Sequence, residues 1–108
     1  MTRDTLQHFE LHVLLAMLRE GNETYSVPLV LALEQRTGRS VSQAAVFIAL
    51  RRLERKGLVS SRLDEPESGR ARRYFEVTTE GLAAVETNRI EHLRLWRGLG
   101  RVFRTRKA

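Results

Sequence analysis

The chain has no cysteine, only two prolines and a single tryptophan among its 108 residues. Lack of cysteine excludes disulfides and thiolate-ligated metal sites. Long apolar runs are missing too: the longest in the first helical segment, Val13 to Leu18, is far too short to cross a bilayer. The opening MTRDTLQHFE has neither the basic region nor the uninterrupted apolar stretch of a signal peptide. A soluble cytoplasmic protein with no membrane association is the expectation.

The signatures of catalysis are also missing. No glycine-rich phosphate loop follows a strand, and no Ser-His-Asp arrangement or paired-carboxylate pocket can be placed. HFELH glances at a zinc-protease motif, but Glu10 lies two positions after His8 instead of directly after it, which turns the carboxylate away from His8 and His12. His92 is the only other histidine. No metal, cofactor or enzymatic activity is expected.

What the chain does have is positive charge in two blocks. Its net charge is +6, with 42% hydrophobic and 30% charged residues, which suits one domain with a modest core. A core that small often gains burial from a partner subunit. Residues 1–38 carry three basic and five acidic side chains, residues 39–73 nine and four, residues 74–91 one and four, and residues 92–108 six and none. Such blocks suit a polyanion, whereas mixed charge on a solvated face is the bland alternative.

The pattern of breaks and caps gives the organisation. Asp4 or Thr5 can cap a first helix running to about Arg19, before Gly21 and Asn22. Leu6, Phe9, Val13 and Met17 line one side of it, and Leu11, Leu15 and Leu18 a second, which implies two packing partners. Ser26 can cap a second helix ending at Thr37, with Gly38 as the stop. Ser42 can cap a third, whose buried stripe is Val46, Ala49, Leu50 and Leu53, and which Gly57 ends. Leu58 to Asp64 and Arg72 to Val77 read as two strands joined by a turn, with Phe75 and Val77 facing the core. Thr78 can cap a last helix reaching about Arg97, beyond which Gly98 and Gly100 predict a frayed basic tail.

The order is helix, helix, helix, hairpin, helix: a mainly α fold with a small β-hairpin, in the pattern of a winged helix-turn-helix. Residues 1–78 form the winged-helix domain and residues 79–108 a C-terminal dimerisation helix with its tail. The third helix would be presented to DNA.

FELHVLLAML, ETYSVPLVLALEQRTGRSVS, VFIALRRLERKGLVSSRL and GRARRYFEVTTEGL together resemble the PadR-like transcriptional regulators, in register over residues 6 to about 85. The length resembles the short members, which carry one C-terminal helix. The resemblance implies a homodimeric repressor of a palindromic double-stranded DNA operator, often controlling its own gene or an adjacent membrane or efflux function. It places Ser42, Gln43, Ala44, Phe47 and Arg51 on the recognition helix and Gly69, Arg70, Arg72 and Arg73 in the wing. Three departures stand out. The family usually has tyrosine where this chain has Phe47, a small hydroxyl residue where it has Ala45, and glycine where it has Ser26.

The residue chemistry agrees with those roles. Gln43 can read adenine and Arg51 guanine, while Ala44 can touch a thymine methyl. Arg52, Arg55 and Lys56 suit phosphates. Arg70 at the wing tip, with Arg72 and Arg73 behind it, suits a narrow minor groove, although Asp64, Glu65 and Glu67 dilute the charge. Phe47 is either an apolar contact to DNA or core at a helix edge. A docking module that presents the third helix to another protein is the alternative function. Leu82, Val85, Leu93, Trp96 and Phe103 form a stripe on the last helix, interrupted by Arg89, that suits a dimer seam. Two-fold symmetry would bring two Trp96 rings together, either filling the seam or sandwiching a planar aromatic inducer beside Arg89 and Arg97.

Overall fold

A computed structural model of the chain describes residues 6–21 and 23–107, the last three of these by their backbone alone. Helix α1 spans His8–Glu20 and begins after Gln7, whose backbone N–H donates to Glu10 Oε1 at 3.1 Å. The caps expected at Asp4 or Thr5 lie outside the described residues. Val13, Leu14, Ala16 and Met17 are buried, whereas Leu15 and Leu18 on the second side stay exposed.

Helix α2 spans Ser26–Thr37, and here the expected cap is corrected. Ser26 is the first helical residue, and extended Tyr25 takes the cap position. The cause lies in the segment before it. Thr24 and Phe75 exchange backbone hydrogen bonds of 3.0 and 2.7 Å, an isolated antiparallel bridge that holds Thr24 against the hairpin. Gly38 ends α2 at φ 71°, its N–H donating to the Glu34 carbonyl, in the left-handed region where glycine has no Cβ to clash.

Helix α3 spans Gln43–Arg55. The Ser42 hydroxyl caps it by accepting from the Ala45 N–H at 2.9 Å. Its buried residues are Val46, Ala49, Leu50 and Leu53, the 3.6-residue stripe read from the sequence. At its end the N–H groups of Gly57 and Leu58 reach back to the carbonyls of Glu54 and Leu53, a Schellman closure with Gly57 at φ 79°. That closure uses Leu58, so strand β1 starts one residue later than expected, at Val59, and runs to Asp64. Strand β2, Arg72–Val77, pairs with it antiparallel from Val59↔Val77 to Asp64↔Arg72.

Helix α4 spans Thr79–Trp96. Thr78 caps it, with Oγ1 accepting from the Gly81 N–H and donating to the Gly57 carbonyl at 2.8 Å. Gly81 is buried because the first turn of α4 presses on the Leu58 carbonyl and the Val77 side chain, where a Cβ has no room. The region beyond Arg97 corrects the reading of a frayed tail. The chain turns at Gly98, with φ 85°, and resumes as helix α5, Gly100–Lys107. The described residues thus form five helices and one two-stranded hairpin.

The core is one cluster in which Phe75 of β2 meets Val13, Leu14 and Met17 of α1, Leu29 and Leu33 of α2 and the α3 stripe. Most of α4 and all of α5 stand off it. The radius of gyration is 16.6 Å, against about 13 Å for a compact domain of this length. No helix among the described residues is long and apolar enough to cross a membrane.

Candidate nucleic-acid interface

The burial of one side of α3 decides what its other side shows. With Val46, Ala49, Leu50 and Leu53 inward, Gln43, Ala44, Phe47, Ile48, Arg51, Arg52 and Arg55 are exposed along one surface. Phe47 divides itself between two environments. Its ring meets that of buried Phe75 edge-on at 5.9 Å, yet it remains 40% exposed. It is both core edge and surface. Ile48, 54% exposed, has no such support.

The wing lies beside this surface. Gly69 sits in the tip at φ 103°, where an L side chain would be strained. Arg70 and Ala71 follow, and with Tyr25, Gln43, Phe47 and Arg72 they line a cleft of about 260 Å3 between α3, the start of α2 and the hairpin. Arg72 and Arg73 are neighbours on a strand, so they leave it on opposite faces. Arg73 turns toward α3: its Nη1 donates to Ser61 Oγ at 3.0 Å, and that hydroxyl donates to Glu54 Oε2 at 2.6 Å. Glu54 also pairs with Arg51 at 3.3 Å, so one carboxylate links recognition helix and wing. Arg72 turns outward and lies 4.2 Å from the centroid of the Tyr25 ring.

That outer face carries a ladder the sequence reading did not find. Tyr25 meets Tyr74 edge-on at 5.5 Å, and Arg62 lies 5.0 Å over the Tyr74 ring. Arg62 in turn donates from Nε and Nη2 to both carboxylate oxygens of Glu23, at 2.8 and 2.9 Å. These hydrogen bonds hold the Glu23 carboxyl below its ordinary range. Each residue is unremarkable alone; only the strand period, which puts Arg62 opposite Tyr74, gave a signal. Gln43 Nε2 also donates to Ser26 Oγ at 3.0 Å, a contact between residues 17 apart that no local pattern announces.

At the other end of α3, Arg52, Arg55 and Lys56 border an open polar hollow with Gln7 and Glu10. Lys56 reaches Glu10 Oε1 at 2.7 Å.

The C-terminal candidates separate. Leu82, Leu93 and Trp96 are about half exposed on α4, while Val85 packs partly on the core and Arg89 pairs with Glu86 at 2.7 Å. Phe103 is not on the same helix. The Gly98 turn brings it back from α5 to 5.7 Å from Trp96, and His92 lies 6.0 Å from the same ring. The single stripe is therefore a short α4 stripe ending in an aromatic cluster.

Three helices, a hairpin whose tip sits beside the third helix, and a further helix leaving the body define a winged helix-turn-helix protein. Residues 14–87 match the model of the transcriptional regulator PadR-like family. The chain belongs to that family, whose members regulate transcription and are not enzymes. No curated protein matches it significantly. Among solved structures, a PadR-like transcription factor from Bacteroides fragilis superposes with a TM-score of 0.75 at 18% identity, covering 87% of this chain and 88% of that one. A PadR family transcriptional regulator from Eggerthella lenta gives 0.69 at 27% identity, covering 88% and 87%. PadR of Bacillus subtilis, solved in complex with operator DNA, gives 0.65 at 14% identity over 75% of this chain and 46% of that one.

Proposed function

We propose that the protein is a homodimeric repressor that binds a palindromic double-stranded DNA operator, with α3 in the major groove and the wing in the adjacent minor groove. The observation that carries this reading is the surface that helix and hairpin share: Gln43 and Phe47 of α3 line one cleft with Arg70, Arg72 and Arg73 of the wing, and Arg51, Arg52 and Arg55 are exposed farther along α3. An α-helix fits the major groove, and arginine is favoured in a narrow minor groove. That a protein of this fold, PadR of Bacillus subtilis, was solved in complex with operator DNA supports DNA as the ligand.

The roles divide by chemistry. Gln43 and Arg51 read base edges, Ala44 and Phe47 touch thymine methyls or sugars, and Ser42, Arg52 and Arg55 bind phosphates. Gly69 lets the wing tip approach the backbone, Arg70 enters the minor groove, and Arg72 and Arg73 hold its walls. Second-copy contacts come from exposed Leu15 and Leu18 of α1 and from Leu82, Leu93 and Trp96 of α4, apolar surface too extensive for a lone small domain. At that seam the cluster of His92, Trp96 and Phe103 takes a planar aromatic inducer.

Exposed Phe47 and Ile48 support a second reading, in which α3 docks another protein. One experiment separates the two. Sequences retained from a random duplex pool should converge on an inverted repeat, and log affinity should fall with log salt by about 0.9 per phosphate contact. A protein-docking module would retain no motif.

A further inference from the structure

The hydroxyl of Ser26 is not spent on capping its own helix. Tyr25 holds the cap position, and Ser26 Oγ accepts from Gln43 Nε2 at 3.0 Å. Ser26 opens α2 and Gln43 opens α3, so this bond joins the two helices of the helix-turn-helix at their starting ends. The anchor is rigid, because the residues just before Ser26 are tied to the hairpin through the paired hydrogen bonds of Thr24 and Phe75. Ser26 is half-buried at the cleft, while Gln43 is exposed on the reading surface of α3.

A glutamine amide offers two N–H groups and a carbonyl. Ser26 takes one N–H, and among the described residues nothing else engages the amide. The remaining N–H and Oε1 are the donor and acceptor that match adenine N7 and N6 in the major groove. An untethered surface glutamine must be immobilised on binding, which weakens a contact about two- to tenfold. A tethered one has already lost that freedom.

We propose that Ser26 is a specificity-determining residue acting through Gln43, whose amide it holds in the orientation that selects adenine. The inference rests on α3 reading a major groove, as proposed above. Ser26 need not touch the base itself.

The test uses the full chain and selection from a random duplex pool, with affinities then measured on single-base variants of the selected site. Comparison of wild type with Gln43→Ala identifies the base pair that Gln43 reads. Ser26→Ala should lower the preference for adenine at that pair by about three- to tenfold and leave the rest of the motif intact. Ser26→Thr, which keeps the hydroxyl, should retain the preference. In a Gln43→Ala background, Ser26→Ala should change nothing further. A wild-type preference at that pair in Ser26→Ala, an equal loss on every sequence, or selection of a base other than adenine by wild type overturns the proposal while leaving DNA binding standing. A wild-type protein that selects no motif at all overturns the DNA reading itself, and the proposal with it.

Discussion

Lys56 Nζ at the end of α3 lies 2.7 Å from Oε1 of Glu10, a carboxylate of α1 that is only 3% exposed. Oε1 also accepts from the Gln7 N–H, while Oε2 is buried with no hydrogen-bond partner among the described residues. Removing one member of a buried pair strands the other's charge, which costs roughly 3–5 kcal/mol, whereas replacing both with apolar groups is often neutral. Lys56→Met should therefore lower urea-denaturation stability by about 3 kcal/mol, and Glu10→Leu/Lys56→Met should recover most of it. A neutral Lys56→Met would show that solvent already satisfies Glu10.

Gly81→Ala should destabilise although alanine favours helices. Its Cβ would overlap the Leu58 carbonyl, which is backbone and cannot step aside cheaply. Overpacking of this kind costs about 1–3 kcal/mol. A rise in Tm for Gly81→Ala would mean that α4 does not dock through its first turn.

On DNA, Gln43→Ala and Arg51→Ala should each cost roughly 1–3 kcal/mol on the operator and relax specificity at single positions. Arg55→Ala should weaken all sequences alike and reduce the salt slope by about one. Band-shift titrations on operator and scrambled duplexes distinguish the two patterns. Equal losses on both duplexes for Gln43 and Arg51 would show that α3 does not read bases.

Leu93→Glu places a charge on the exposed apolar side of α4. Burying it at a seam is unfavourable, so the variant should sediment as a monomer or be insoluble. A wild type already monomeric at micromolar concentration would defeat the dimer reading.

Trp96 is the only tryptophan, so its fluorescence reports on the aromatic cluster alone. Planar cationic dyes and phenolic acids should quench it saturably and lower operator affinity. Saturable quenching that leaves DNA affinity unchanged would separate a binding surface from an inducer site.

Much of the fold could be read along the chain because its determinants are local. Ser42 and Thr78 cap the next helix through hydroxyls three residues from their target N–H groups, and Gly38 and Gly57 stop helices by tolerating positive φ. The α3 stripe follows from 3.6-residue periodicity, and the same period places Gln43, Arg51 and Arg55 on the opposite, exposed surface. These relations span at most a few turns.

Contacts between distant residues were decided by tertiary structure alone. Composition and spacing announced two cationic blocks, but not that Arg72 would stack on Tyr25, nor that Arg73 would turn toward Ser61 and Glu54. Nor could they show Ser26 bound to Gln43, because that bond exists only once α2 and α3 have packed against Phe75. Even the start of α2 was set from outside: Thr24 pairs with a strand some fifty residues later in the chain and keeps Tyr25 extended. Helix caps and stripes are short-range consequences of hydrogen bonding and period. The partners of a surface arginine depend on which elements the core brings alongside it, and no local pattern contains that information.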